Sequence, residues 1–256
     1  MWVYGALVVV AAFLCGAAAA RLWHRFVGPR GSADGLPLLA ASCGTVASLY
    51  VLTIAFLIVS ATSSLGGARA DAEAEAAALR QAYLAAGQLD PAERREVRGA
   101  VRAYADTVID DEWPELARDK ASREAWERLD GLNSLTYGVD SGSPRARDDV
   151  RQAVNTVYEQ RRHRLAAAAD RLPGILVAFL VVTAVVAPLY FLLAGWPSGV
   201  RATACLGVLC ALFASGIWIV LQLNQPFGSG VRVSPASFQE ALARMDQIDE
   251  RPAVRR

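Results

Sequence analysis

The sequence predicts an all-α integral membrane protein, with four transmembrane helices in two pairs and a helical water-facing insert between the pairs. Three observations predict it. Charged residues are absent from residues 1–20, 36–68, 172–200 and 202–231. Each of these runs holds an apolar core about as long as the ~20 residues a helix needs to cross a bilayer. The intervening segment, 69–171, is dense in charge, with 17 Lys+Arg against 20 Asp+Glu. A charged side chain costs roughly 2.5–3.5 kcal/mol at mid-membrane on the insertion scale, so this partition separates what enters lipid from what stays in water. With 54% hydrophobic residues and a mean hydropathy of +0.28 over 256 residues, the chain is too apolar for an ordinary soluble domain.

Four segments follow: 1–68 with helices one and two, the insert 69–171, a hairpin of helices three and four at 172–223, and a tail at 224–256. Span one, from Trp2 to about Ala20, carries Trp2, Tyr4 and Trp23 as interfacial aromatics. It lacks a basic leader, and its arginines Arg21 and Arg25 follow the apolar run, so a retained span is expected rather than a cleaved signal. Span two begins near Pro37 and ends near Thr62. Its first part is rich in small residues (Ser42, Cys43, Gly44, Thr45, Ala47, Ser48), which allow close helix approach or line a cavity. Residues 49–59 are bulkier, and Ser60, Thr62, Ser63 and Ser64 form a hydroxyl-rich exit.

Within the insert, apolar stripes at helical spacing predict a bundle without strands. The first helix, from Arg69 to Ala86, shows Ala72, Ala76, Leu79 and Tyr83 on one stripe. Asp90-Pro91 reads as a helix start, with Asp as the cap and Pro at the first helical position. That helix carries Val97, Val101, Tyr104 and Val108 on one face and is expected to stop near Trp113-Pro114. Ser122 caps a third helix with Trp126, Leu129 and Leu132, and Ser143-Pro144 starts a fourth with Val150, Val154, Val157 and Leu165 inward. Span three contains Pro188, a short turn at 195–199 makes the hairpin, and an amphipathic helix from about Ala236 to Met245 closes the chain. Residues 251–256 read as a frayed end.

Several function classes are disfavoured. The four cysteines (Cys15, Cys43, Cys205, Cys210) lie in the spans without metal or redox spacing and read as small hydrophobes. With only His24 and His163, no His-based metal site and no cofactor are expected. The mixed charge of the insert is not the basic stripe of a nucleic-acid binder. No phosphate loop, no Ser-His-Asp set and no HExxH occur, so an enzyme is not expected. The apolar cores of the spans hold no Asp, Glu, Lys or Arg, against a proton-coupled transporter.

Three constellations remain. Leu49, Thr53, Phe56, Ser60 and Ser63 recur at helical spacing on span two, either as a packing stripe or as a pore face where Leu and Phe constrict and hydroxyls solvate an ion. Asp110, Asp111, Glu112 and Glu115 read as a solvated helix terminus, with a hard-cation site as the alternative. Arg161, Arg162, Arg164 and Arg171 read as a membrane-flanking anchor, with anion attraction as the alternative. Near the membrane, eight arginines lie on the insert side against four in the loops opposite, which favours a cytoplasmic insert; the first loop alone counts the other way.

The exit of span four, Asn224-Gln225-Pro226-Phe227-Gly228, resembles the Asn-Pro-Phe-Gly motif after the last span of bestrophin anion channels. Arg171-Leu172-Pro173 and the stretch from Phe56 to Ala68-Arg69 are similar in spacing to that family. A closer resemblance is to the bestrophin-like group of uncharacterised prokaryotic membrane proteins, through Tyr50, Ala55 and Phe56, through Glu112-Trp113-Pro114, and through Pro226, Phe227, Gly230, Val233, Ser234 and Pro235. The aromatic Arg-Trp-Trp stretch of bestrophins is replaced by Ser63-Ser64-Leu65-Gly66-Gly67, and no acidic calcium clasp stands in the tail. The resemblance implies a multi-pass protein of the cell membrane, a homo-oligomer in the lipid bilayer, and a channel for small anions lined by span two. The alternative is a non-conducting, membrane-anchored interaction or sensing protein that presents its helical insert to partners.

Overall fold

The computed structural model describes residues 2–26, 36–118, 120–193, 199–224, 226–228 and 232–250. The expected first loop around Pro29 and Arg30, the hairpin turn at 195–198, Gly230 and the tail at 251–256 lie outside those residues. Every regular element among the described residues is a helix: α1 (Trp2–Phe26), α2 (Leu36–Ala85), α3 (Pro91–Thr107), α4 (Trp113–Leu116), α5 (Arg123–Gly138), α6 (Pro144–Ala169), α7 (Gly174–Leu193), α8 (Val200–Leu223) and α9 (Ala236–Asp249). Among the described residues, four helices are long and apolar enough to cross a membrane. The fold is all-α.

The chain divides into two compact units, one of residues 1–63 with 171–224, the other of 64–170 with 225–256. In the first unit α1 packs along α8, where Gly207 lets Phe13 approach: a Cβ there would stand 2.7 Å from the Phe13 ring. Tyr50 of α2 reaches α8 in the same way. Its hydroxyl donates to the Phe213 carbonyl at 2.6 Å, and the two rings meet edge to face at 4.4 Å. Gly216 makes room for this contact, since a Cβ there would collide with the Tyr50 hydroxyl and Ile54. Leu57, Leu180 and Val220 complete the small core around the pair. At the entry to α7, the Leu172 N–H donates to the side-chain oxygen of Asn224 at 2.8 Å, satisfying a donor that no helix turn serves.

The second unit is a bundle whose core includes Leu79, Tyr83, Val97, Val101, Tyr104, Leu129, Leu132, Val154, Val157, Phe238 and Met245. Ser122 and Ser143 cap their helices as expected, each hydroxyl accepting the N–H of the residue three positions on. Asp90 occupies its cap position but makes no side-chain cap bond; its own N–H donates to the Ser141 hydroxyl.

Two boundaries differ from the sequence reading. The helix of span two and the helix expected from Arg69 to Ala86 are not separate, because α2 runs unbroken from Leu36 to Ala85. Ser60 to Gly67 holds no proline and no charge, so nothing in that stretch forces the helix to end. The helix of Val97 and Val101 does not stop at Trp113-Pro114 either. It passes through a widened π turn at Val108–Glu112 into α4, where Pro114 sits near the start and its missing N–H is tolerated.

Candidate functional site

Two features of the structure bear on function, one in each unit. The first is the face of α2 that its own unit leaves uncovered. Tyr50, Leu57 and Ala61 are buried, whereas Leu49 is 43% exposed and Phe56 60%. Ser63 is exposed as well, and Leu52 and Val59 lie on the same open face. Thr53 and Ser60 are half-buried beside it, and the Thr53 hydroxyl donates to the Leu49 carbonyl at 2.8 Å. The stripe of Leu49, Phe56 and Ser63 is therefore not a packing stripe within the unit. It is uncharged, apolar for most of its length, and hydroxyl-bearing at Ser63.

The second feature is a buried charge cluster in the other unit. Glu75 from α2, Tyr104 from α3, Glu112 from the π turn, and Arg161 and Arg164 from α6 expose no surface at all. Arg161 grips Glu112 through two parallel bonds, Nη1 to Oε2 at 2.8 Å and Nη2 to Oε1 at 2.6 Å. Arg164 binds both carboxylates, Nε to Glu75 Oε2 at 2.6 Å and Nη2 to Glu112 Oε2 at 2.6 Å. The Tyr104 hydroxyl donates to Glu75 at 2.5 Å and accepts from Arg161 at 2.9 Å. Two guanidiniums and two carboxylates cancel, which is the condition for charge to stay buried.

Aromatic rings close the cluster. The Arg161 guanidinium lies 4.5 Å over Trp126, and that of Arg164 lies 5.1 Å from Trp113 and 5.6 Å from Phe238. Arg161 Nε and Arg164 Nη1 have no hydrogen-bond partner among the described residues, and the ring faces supply negative potential in its place. Burial, and then the Glu75 carboxylate, push the Tyr104 hydroxyl well above the usual phenol range. Burial acts to lower the pKa of Arg164, but the Glu75 and Glu112 carboxylates outweigh it and raise it.

This cluster corrects two sequence expectations. Glu112 is not part of a solvated terminus: Asp110 and Asp111 are exposed, but Glu112 turns inward on the phase of Val101, Tyr104 and Val108. Arg161 and Arg164 do not face membrane headgroups, because they continue the buried phase of Val150, Val154 and Val157; Arg162 is exposed. The signal was the phase itself, since all four charged residues fall on apolar stripes.

The Glu-Trp-Pro and Pro-Phe motifs meet beside the cluster. The Trp113 indole N–H donates to the Val233 carbonyl at 3.1 Å, and the Trp113 ring stands edge-on to Phe227 and Phe238, each at 5.5 Å. The Val233 N–H donates to the Pro226 carbonyl at 2.8 Å, which ties Val233 back to the motif proline. Pro114 is exposed.

Described residues that are helical throughout their regular elements, with four helices of membrane length and this motif set, point to a membrane-protein class. The family model of the Bestrophin-like domain matches residues 10–238, and the chain belongs to that family. No curated protein sequence matches it.

Proposed function

We propose that the protein is an oligomeric channel for small anions in the cell membrane, with α2 lining the pore. Family membership supports a bestrophin-like role, and the uncovered face of α2 is the observation that carries the reading. That face holds no charge, so it neither repels nor traps an anion; Leu49, Leu52, Phe56 and Val59 narrow the path by apolar side chains, and Ser63 offers a hydroxyl to a partly dehydrated ion. In this reading the chain is multi-pass, its lipid-facing helices sit in the bilayer, and the insert and both ends share the cytoplasmic side. The partners are other copies of the same chain and the permeating anions, not nucleic acid.

The competing reading is a non-conducting scaffold that presents the insert to partners. The internally neutralised cluster favours it to one degree, since it makes the insert a self-contained folded body. Chloride efflux from liposomes reconstituted with the purified chain separates the two. Efflux above that of protein-free liposomes supports the channel, and a folded, incorporated, silent protein supports the scaffold.

A further inference from the structure

We infer that Glu75 is a positioning residue: its ion pair with Arg164 is the key that fixes the rotation of α2 about its own axis, and with it the direction of the open face of α2. In the second unit the buried side of α2 is mostly alanine, at Ala68, Ala72, Ala76, Ala78 and Ala82. A methyl group is a small knob, so an alanine face seats on its neighbours in more than one rotation at little packing cost. Bulky side chains that fit one hole only select a rotation, and on this side those are Leu79 and Tyr83. Leu79 carries no directional bond. Tyr83 is held by Arg102 and Asp249, which are partly exposed, and water weakens such contacts. Glu75 is bound where no water reaches.

Alanines also flank Glu75 in direction. Ala72, Ala74, Ala76 and Ala78 point about 60° and 100° to either side of it on the helix. Arg164 Nε stands 2.6 Å from Glu75 Oε2, and Nη2 3.3 Å from Oε1. A turn of α2 by either step presents a methyl group to Arg164 where that carboxylate stands. Asp71 points nearest to the same direction, but it lies one turn, about 6 Å, lower along the axis. Arg161 and Arg164 would then share Glu112 alone, and none of the three exposes surface through which water could screen the surplus charge. The other charged residues of α2, Arg69, Asp71, Glu73 and Arg80, join no ion pair among the described residues. Since α2 is one helix from Leu36 to Ala85, a turn of this stretch is also a turn of the stretch that carries Leu49, Phe56 and Ser63. What such a turn does to flux rests on the channel reading of the open face; the key itself does not.

The test is the rate at which N-ethylmaleimide modifies single cysteines at Ala68 or Ala70 of the full-length chain in membranes, with the native cysteines replaced. Ala68 is buried and Ala70 exposed. In the parent, Ala70→Cys should react many-fold faster than Ala68→Cys. Glu75→Ala with Arg164→Leu removes the key and leaves Arg161 paired with Glu112, so the cluster stays neutral. The ratio of the two rates should then fall several-fold, with helix content by circular dichroism unchanged. Leu79→Ala removes bulk from the same side and no charge; it should lower the melting temperature and keep the parent ratio, which separates direction from packing. If the first pair does not fold, Glu75→Gln with Arg164→Met, neutral and closer in bulk, gives the same reading. An unchanged ratio in a folded pair, or an equal fall in Leu79→Ala, would overturn the key. A fallen ratio in a protein that passes no chloride would keep the key and remove the channel, and an unchanged ratio in a conducting protein would do the reverse.

Discussion

Arg164 Nη2 stands 2.6 Å from Glu112 Oε2, and neither residue exposes any surface. An ion pair so placed contributes little net stability compared with an apolar pair, because desolvation offsets attraction. Losing one partner is different. Arg164→Leu leaves Glu75 and Glu112 with one guanidinium between them and should destabilise the second unit by about 3–5 kcal/mol. Replacing Glu75 and Glu112 with Gln together with Arg161→Leu and Arg164→Leu should recover much of that loss. Urea titration of the detergent-solubilised chain, followed by tryptophan emission, reads both.

The second prediction concerns pH. Asp249 of α9 is bound by Arg98, Arg102 and the Tyr83 hydroxyl. Burial raises its pKa, but the Tyr83 hydrogen bond and the two arginines outweigh that and hold the carboxyl below the usual range. A depressed carboxyl stabilises the fold above its unfolded value, near 3.9, and loses that contribution as pH falls through the folded value. Docking of α9 should therefore weaken only below about pH 4, and Asp249→Asn should weaken it at neutral pH. Hydrogen exchange along Ala236–Asp249 measures it; equal protection in the variant and the parent at pH 7 would refute the role.

A third prediction isolates the contact of α2 with α8. Tyr50→Phe keeps the ring against Phe213 and removes one hydrogen bond, a loss of about 0.5–1.5 kcal/mol. Gly216→Val places carbon where the Tyr50 hydroxyl and Ile54 already stand, so it should disrupt the first unit far more. Thermal denaturation of the two variants in one detergent gives the order; a milder effect of Gly216→Val would contradict the packing described.

The four long apolar helices were legible because the cost of charge in lipid leaves uncharged runs. The caps at Ser122 and Ser143 were legible because a serine before a helical stripe has one local use. The charge cluster is not legible in the sequence, although the phase of its residues is. Glu75, Glu112, Arg161 and Arg164 lie on apolar stripes, but whether a charged residue on such a stripe snorkels to water or finds an opposite partner depends on helices far away in sequence. The continuity of α2 escaped for a related reason: a rise in charge at Arg69 marks a change of solvent, not an end to the helix.

The measurement that tests the central claim most directly is chloride flux through reconstituted wild-type protein and Phe56→Ala. Phe56 is 60% exposed on the open face of α2, and rings of such side chains dewet a narrow pore. The channel account predicts measurable wild-type flux, raised in Phe56→Ala with assembly unchanged. A silent wild type and a silent Phe56→Ala, both folded and correctly inserted, would contradict it.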